Sequence, residues 1–294
     1  MIPKMQLLVS SLSARGRALH DGREVARILH GAGWEVDVHV THSSDAVSDA
    51  ARSCAPGLVG AVGGDGYLAE VASGLAHDPD RIMVPFPGGR GNDLCRALGI
   101  GVDAAERAEE LAELGIEGRE RLIDGIWVGE ENKLALGVVS LGVDRAANEQ
   151  ANKSLIRWGS LAYAWGAIFA FLKFKPLNFN IVSNEDEDRF PGWICSISNS
   201  GWIGGGINIV PQSNLSDGVL EVFSVEKTSR ARAVRLLAKV LTGRSLDSPL
   251  VRVTSNKEVT ITEPVGVSAM ADGDFIARVP FTAKVAPAVV RIIA

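Results

Sequence analysis

Cysteine is scarce in this chain of 294 residues: only Cys54, Cys95 and Cys195 occur, an odd number with no CxxC pair. That excludes a disulfide scaffold and a thiolate zinc site, and it points to a reducing cytoplasm where the three thiols serve as small core residues. Excess basic charge is also missing, with 30 Lys and Arg against 35 Asp and Glu and a net charge of -5. Nucleic acid is therefore excluded as the main partner, because neutralising phosphates needs a basic surface. The histidines His20, His30, His39, His42 and His77 show no metal-ligand spacing. A secretory leader is not evident in Met1-Ile2-Pro3-Lys4-Met5, which lacks the long apolar stretch such a leader needs. The uncharged aromatic segment Trp158 to Leu172 is fifteen residues long, too short for a membrane span. No internal repeat or low-complexity tract is evident.

What is present is an ordinary globular composition, 46% hydrophobic and 22% charged, in a length that predicts two domains. The first half alternates strands and helices. Gln6 to Val9, Trp34 to Val40, Leu58 to Val62 and Ile82 to Pro85 read as strands, and Gly22 to Gly31, Asp45 to Arg52, Leu68 to Leu75 and Ala104 to Leu114 as helices. That rhythm predicts an α/β domain with a parallel sheet over residues 1–124. Beyond it, short apolar or alternating runs broken by Gly, Asn, Asp and Pro predict a β-rich antiparallel domain over 125–284: Ile123 to Val128, Lys133 to Val139, Phe179 to Val182, Trp193 to Ser198, Val219 to Val225, Val251 to Thr254, Glu258 to Thr262 and Ala277 to Val279. One helix, Ser229 to Leu241, interrupts them. The apolar 285–294 run reads as a strand that returns to the first domain.

Two glycine-rich turns carry the chemistry. Gly63-Gly64-Asp65-Gly66 follows one predicted strand and precedes a helix, and Pro87-Gly88-Gly89-Arg90-Gly91-Asn92-Asp93 follows another. Glycines at such junctions let a phosphate approach the main chain, and the helix start beyond offers unpaired N–H groups. Asp65 beside a phosphate site would repel it unless a divalent cation lies between, so the turn suggests a nucleotide held with Mg²⁺. A single glycine turn is as often structural as functional. Two at the carboxyl edge of one parallel sheet line a common crevice.

These residues resemble the diacylglycerol kinase catalytic domain family, which shares a wider superfamily with NAD kinases and phosphofructokinases. Gly63 to Val71 matches its Gly-Gly-Asp-Gly-Thr-x-x-Glu-Val pattern with Tyr67 in place of Thr, and Pro87 to Asp93 matches Pro-x-Gly-Thr-x-Asn-Asp with Arg90 in place of Thr. Gly142-Val143-Asp144, Asn199, Gly204-Gly205-Gly206, Pro211, Asp217-Gly218-Val219-Leu220 and Asp272-Gly273-Asp274 are similar to later elements of the pattern.

The resemblance implies an NAD kinase/phosphofructokinase-like nucleotide domain, a lipid-substrate domain, and a cleft between them where ATP and Mg²⁺ phosphorylate a lipid hydroxyl, that of diacylglycerol first. It implies that Ser10, Ser13, Arg15, Thr41, Gly63, Gly64, Asp65, Gly66, Tyr67, Glu70, Gly89, Arg90, Asn92 and Asp93 surround the nucleotide. Ser10 stands where the family has Asn, and Arg90 offers a guanidinium where relatives have a hydroxyl. Asp65 would order Mg²⁺, and Asp274, where relatives carry Glu, would be the general base. Asp124 falls where relatives have an acid near the metal, and Asp217 with main-chain oxygens of Asn214 and Val219 resembles a structural Mg²⁺ loop. Each has a plainer reading: Glu70 as a first-turn acid on the helix dipole, Asp124 as a turn former, Tyr67 as a packing residue, Asp272 to Asp274 as a hairpin turn. The expected setting is the cytoplasm with peripheral membrane contact, through Trp158 to Leu172 if those aromatics are not core. A homodimer is also within the expectation. The rival readings are an NAD kinase-like enzyme and a nucleotide-binding regulator with little catalysis.

Overall fold

The computed structural model describes residues 2–43, 46–142, 175–183, 186–241 and 248–294. The segment Trp158 to Leu172, and Val143-Asp144, lie outside the described residues. Four parallel strands open the fold: β1 (Lys4–Ser10), β2 (Glu35–Thr41), β3 (Gly57–Gly63) and β4 (Arg81–Pro87), in spatial order β2-β1-β3-β4. The central β3 is buried along nearly its whole length, as its unbroken apolar run requires of a strand covered on both faces. Five helices accompany these strands: α1 (Arg17–Gly31), α2 (Val47–Ser53), α3 (Asp65–Gly74), α4 (Asp93–Ala97) and α5 (Ala104–Leu114). The best-marked boundaries belong to α5, where the Asp103 carboxylate accepts from Ala105 N and Glu106 N at 2.8 and 3.2 Å and Gly115 ends the helix at φ 71°.

The second region is β-rich. It comprises β5 (Glu120–Val128), β6 (Lys133–Ala135), β7 (Val138–Gly142), β8 (Leu177–Ser183), β9 (Asp186–Ser198), β10 (Trp202–Ile203), β11 (Ile207–Asn208), β12 (Leu220–Glu226), helix α6 (Arg230–Leu241), and then β13 (Val251–Asn256), β14 (Glu258–Glu263), β15 (Ser268–Ala271), β16 (Asp274–Arg278) and β17 (Phe281–Ile293). Its pairings are antiparallel. Phe179, Phe190, Ile197, Ile261 and Ala283 lie in its core. The α/β-plus-antiparallel-β architecture predicted from the sequence is the one observed.

One strand pair runs through both regions. β17 pairs antiparallel with β14 at its start and with β5 along most of its length, and near its end Ile292 lies beside Met83 of β4 in parallel. The buried Arg107 guanidinium of α5 secures that end by donating to Ile293 O at 3.0 Å and to Glu110 Oε2 at 2.8 Å. The two regions therefore share a continuous backbone ladder, which sets the hairpin β15–β16 opposite the glycine turns.

Candidate functional site

The two glycine turns touch backbone to backbone. Gly88 N donates to Gly63 O at 2.8 Å, and a Cβ on Gly89 would stand 2.5 Å from Gly64 Cα. No side chain fits at Gly89, which is the physical reason for glycine there. The loop after β1 closes on the same turn: Ser13 Oγ accepts from Gly64 N at 3.3 Å and donates to Ser10 Oγ at 2.8 Å. Gly64 caps α3 without any side-chain hydrogen bond, so the first-turn N–H groups of that helix receive no capping acceptor. Asn92 holds the second turn at φ 54°, its Oδ1 accepting from Gly89 N at 2.9 Å.

Around this cradle the structure gathers four carboxylates. Asp65 Oδ1 accepts from Leu94 N at 2.9 Å, at the start of α4. Burial pushes its carboxyl above the usual range, against the opposing pull of the Leu94 N–H and other backbone donors. Asp93 reaches across to the second region, its Oδ2 and Oδ1 accepting from Gly205 N at 2.9 Å and Gly206 N at 2.7 Å. Burial is again the first cause that lifts Asp93, to about 6, and the Asp65 charge adds to it. Asp272, at φ 53° in the β15–β16 turn, is raised well above the ordinary range by burial and then by the charges of Asp65, Asp93 and Asp274. Asp274 opens β16 with its carboxylate against the first turn: a Cβ on Gly66 would lie 2.9 Å from its Oδ2. Although the residue reaches solvent, partial burial raises its carboxyl too.

Positive charge is sparse here. Arg96 is the cation that offsets Asp93, and its Nε donates to Gly91 O at 3.4 Å. Arg90 is exposed on the rim, as is Arg15, held at φ 60° in the loop after β1. Glu70 is exposed one turn into α3. Among the described residues no three acids, histidines or cysteines converge closely enough to cage a metal. Asp65 and Asp93 beside the two turns are a donor set that fits a divalent cation delivered with a nucleotide, which would take its remaining ligands from phosphate oxygens and water.

Tyr67 does not face the cradle as a small hydroxyl would. Its ring lies on Gly63, whose added Cβ would stand 2.4 Å from Cδ1, and its hydroxyl accepts from Thr41 Oγ1 at 3.0 Å. Burial pushes the phenol up to about 12. The ring thus packs on the end of β3, and Thr41 is the partner of its hydroxyl.

Asp124 is held by main-chain donors. Its Oδ2 accepts from Gly218 N and its Oδ1 from Ala288 N, both at 2.7 Å, while its own N–H donates to Leu215 O at 2.5 Å. Both carboxylate oxygens accept from backbone, so Asp124 ties the 214–219 loop to β5 and β17. In that loop Asn214 Oδ1 accepts from Ser216 N at 3.1 Å and Asp217 Oδ1 from Val219 N at 3.0 Å. The loop lies apart in sequence and in hydrogen bonding from the four-carboxylate cleft.

Four residues around the cleft were not assigned a role of their own from sequence. Asp272 was read as part of the Asp-Gly-Asp element and its hairpin turn, with no role of its own. The Gly205 and Gly206 N–H groups grip Asp93 from more than a hundred residues away, a partnership no local pattern displays. Asn199 is fully buried and donates to Asp124 O and Leu136 O, both at 2.9 Å, fixing the floor between the regions.

Comparison with known proteins matches residues 4–126 to the diacylglycerol kinase catalytic domain and residues 137–294 to the YegS C-terminal NAD kinase beta sandwich-like domain. The chain belongs to the bacterial diacylglycerol kinase-like lipid kinase family. A Mycobacterium tuberculosis diacylglycerol kinase is 27% identical over 99% of this chain and 95% of its own. A Bacillus subtilis diacylglycerol kinase is 26% identical over 87% of this chain and 85% of its own. A crystal structure of a diacylglycerol kinase from Bacillus anthracis superposes with a TM-score of 0.78 at 19% identity, covering 99% of this chain and 96% of that one, and shares its fold. The lipid kinase thus carries its two glycine turns within the catalytic-domain match and Asp272-Gly273-Asp274 within the C-terminal one.

Proposed function

We propose that this lipid kinase transfers the γ-phosphate of ATP, with Mg²⁺, to the hydroxyl of diacylglycerol. The observation that supports the reading is the Asp274 carboxylate set against the Gly66 turn, where an acid of one region adjoins the glycine turns of the other and would accept the hydroxyl proton. Phosphoryl transfer asks the protein for positioning and charge neutralisation more than for covalent chemistry. Ser10, Ser13, Gly63, Gly64, Gly66, Gly89 and Asn92 supply the turn geometry, Asp65 and Asp93 would hold the cation, and exposed Arg90 and Arg15 would meet phosphate oxygens. The cation would supply neutralisation of the phosphates between the facing carboxylates. Thr41 with Tyr67, and Glu70, would border the nucleotide. A second Mg²⁺ at Asp217, with the main-chain oxygens of Asn214 and Val219, belongs to the same reading and would order a loop.

The lipid side rests on Phe275, next to Asp274. It is 51% exposed, an unusual cost for a phenyl ring, and Lys133 Nζ and the Arg278 guanidinium lie 5.7 and 6.0 Å from its centroid. An apolar tip flanked by cations suits contact with a lipid surface. No helix among the described residues is long and apolar enough to cross a membrane, so the contact proposed is peripheral, in the cytoplasm.

Labelled ATP, Mg²⁺ and mixed lipid vesicles test this. A labelled lipid, abolished by Asp274→Asn, is expected. Labelled NADP from added NAD would replace the reading with an NAD kinase, and nucleotide binding without any turnover would replace it with a regulator.

A further inference from the structure

The β10–β11 hairpin, whose tip grips Asp93 through Gly205 N and Gly206 N, also borders a cavity of about 270 Å³. Both regions contribute to its wall. Leu98 after α4 and Arg121 of β5 come from one side of the joint, and Ser200, Trp202, Asn208 and Ser213 come from the hairpin and its flanks. None of the four cleft carboxylates and neither glycine turn lines it, so the cavity is a chamber apart from the phosphate cradle.

The chemistry of the wall is one-sided. No aspartate or glutamate stands among its described lining residues, although acids outnumber bases in the chain as a whole. Arg121 supplies positive charge, exposed and with no ion pair among the described residues. A guanidinium keeps that charge at every physiological pH and offers paired N–H donors that match phosphate oxygens. Asn208 supplies a second element, because its Oδ1 is buried and has no hydrogen-bond partner among the described residues. A buried acceptor left unpaired is costly, so this position favours a ligand that brings an O–H. Ser200 and Ser213 add hydroxyls, and Trp202 adds an apolar ring. Glu221 stands behind Ser213, whose Oγ donates to its Oε2 at 2.7 Å, and is not itself in the wall.

We propose that this cavity binds a small phosphorylated polyol, with its phosphate on Arg121 and a hydroxyl on Asn208 Oδ1. The site is separate from the nucleotide and acceptor positions of the phosphotransfer reading and does not depend on that reading. It also sits at a joint. Asp124 N donates to Leu215 O, and Ser216 Oγ donates to Leu122 O at 2.8 Å, so the loop that follows the hairpin is already tied to β5. A ligand spanning Arg121 and Asn208 would add a further link between β5 and the hairpin, beside the one made at Asp93. A soluble phosphate ester and the glycerophosphate headgroup of a lipid both offer this chemistry.

Calorimetric titration of the full chain with glycerol 3-phosphate, in the absence of ATP, is the test. Saturable binding is expected, unaffected by saturating ADP with Mg²⁺. Arg121→Ala should weaken it about tenfold or more, the loss of charge-assisted hydrogen bonds, while the melting temperature of the ligand-free protein stays unchanged. Inorganic phosphate should bind more weakly than the ester to the wild type, and Asn208→Ala should bring the two within about twofold of each other. Should Asn208→Ala fail to fold, Asn208→Asp, which sets a carboxylate where the hydroxyl and phosphate would lie, should abolish binding of both. Displacement of the ester by dihexanoyl phosphatidylglycerol, kept below its micellar concentration, would support the site with a lipid headgroup as its source, and a failure to displace would support it with a free ester. Three results overturn the proposal: no saturable binding at millimolar ester, an affinity that Arg121→Ala leaves within about twofold, or displacement of the ester by ADP with Mg²⁺.

Discussion

The acids of the cleft and the acids of the 214–219 junction are alike in residue type and differ in what lies beside them. Asp65, Asp93, Asp272 and Asp274 face one another with Arg96 as the cation beside them, and each is pushed above the ordinary carboxylate range, burial being the first cause every time. Asp124 is more buried by surface than any of them, at 4% exposure, yet each of its oxygens takes a backbone N–H. Neither burial nor backbone donors alone separate the two groups, since Asp93 also takes an N–H on each oxygen. The separation lies in the company each carboxylate keeps: neighbouring carboxylates add to the rise of Asp93 and Asp272, whereas Asp124 ties a loop to two strands.

Removing acids on the two sides sharpens that contrast most strongly. Asp274→Asn keeps shape and loses the proton acceptor, so kcat for lipid phosphorylation should fall by about 10²–10⁴, with the melting temperature unchanged or slightly raised. Asp65→Ala should cost about 10²–10³ in kcat/KM and abolish Mg²⁺-dependent nucleotide binding in calorimetry. Asp124→Ala should do the reverse. It strands two buried N–H groups and should cost about 3 kcal/mol of unfolding free energy by denaturant titration, with turnover per folded molecule nearly intact. An Asp124→Ala protein that melts normally but cannot turn over would erase the distinction between the two groups.

The pH dependence of stability separates them again. The Asp93 carboxyl rises from 3.8 to about 6 on folding. The native state therefore binds more protons than the unfolded chain between those values, and the stabilisation present below the unfolded pKa is lost as pH rises through the folded one. About 3 kcal/mol is at stake for Asp93 alone, and Asp65, Asp272 and Asp274 shift in the same direction. Thermal melts of the ligand-free protein should fall from pH 4 to pH 7, Asp93→Asn should flatten part of that slope, and Mg²⁺ with nucleotide should oppose it. A ligand-free protein whose melting temperature rises across that window would show that the cleft carboxylates are not stacked against one another as described.

How much of this was legible beforehand also follows the division between local and distant partners. The β3 run, the Gly63 to Gly66 turn and α3 announce themselves because strand, turn and helix signals are adjacent in the chain. Lys133 to Val139 reads as one strand from composition. It breaks at Gly137 because the carbonyl there accepts from Asn199 N and Ser200 N, and Asp272 Oδ1 occupies the space beside its Cα. The five-residue α4 is too short for any periodicity, and β15, Ser-Ala-Met-Ala, is a strand because β7 and β16 flank it and not through its own propensity. Likewise Asp65 was identifiable from its glycines, whereas the backbone partners of Asp124 lie 94 and 164 residues away.

The smallest expected effect concerns the place where the phosphate turn departs from its family pattern. Tyr67 sits in the best-matched motif of the chain but directs its hydroxyl to Thr41 at the end of β2, away from the carboxylates. If that contact is packing, Tyr67→Phe should cost only about 1 kcal/mol of stability, the worth of one partly buried neutral hydrogen bond, and should leave kcat within about twofold. Tyr67→Thr, which restores the family hydroxyl and removes the ring from Gly63, tests the other half of the comparison. Loss of the ring should cost stability through its packing, while any gain in kcat/KM for ATP would mean that the cradle gains from a hydroxyl it now lacks. A large kcat loss in Tyr67→Phe, with the melting temperature unchanged, would instead make the phenol a participant, and would move Tyr67 from the structural group into the one that contains Asp65 and Asp274.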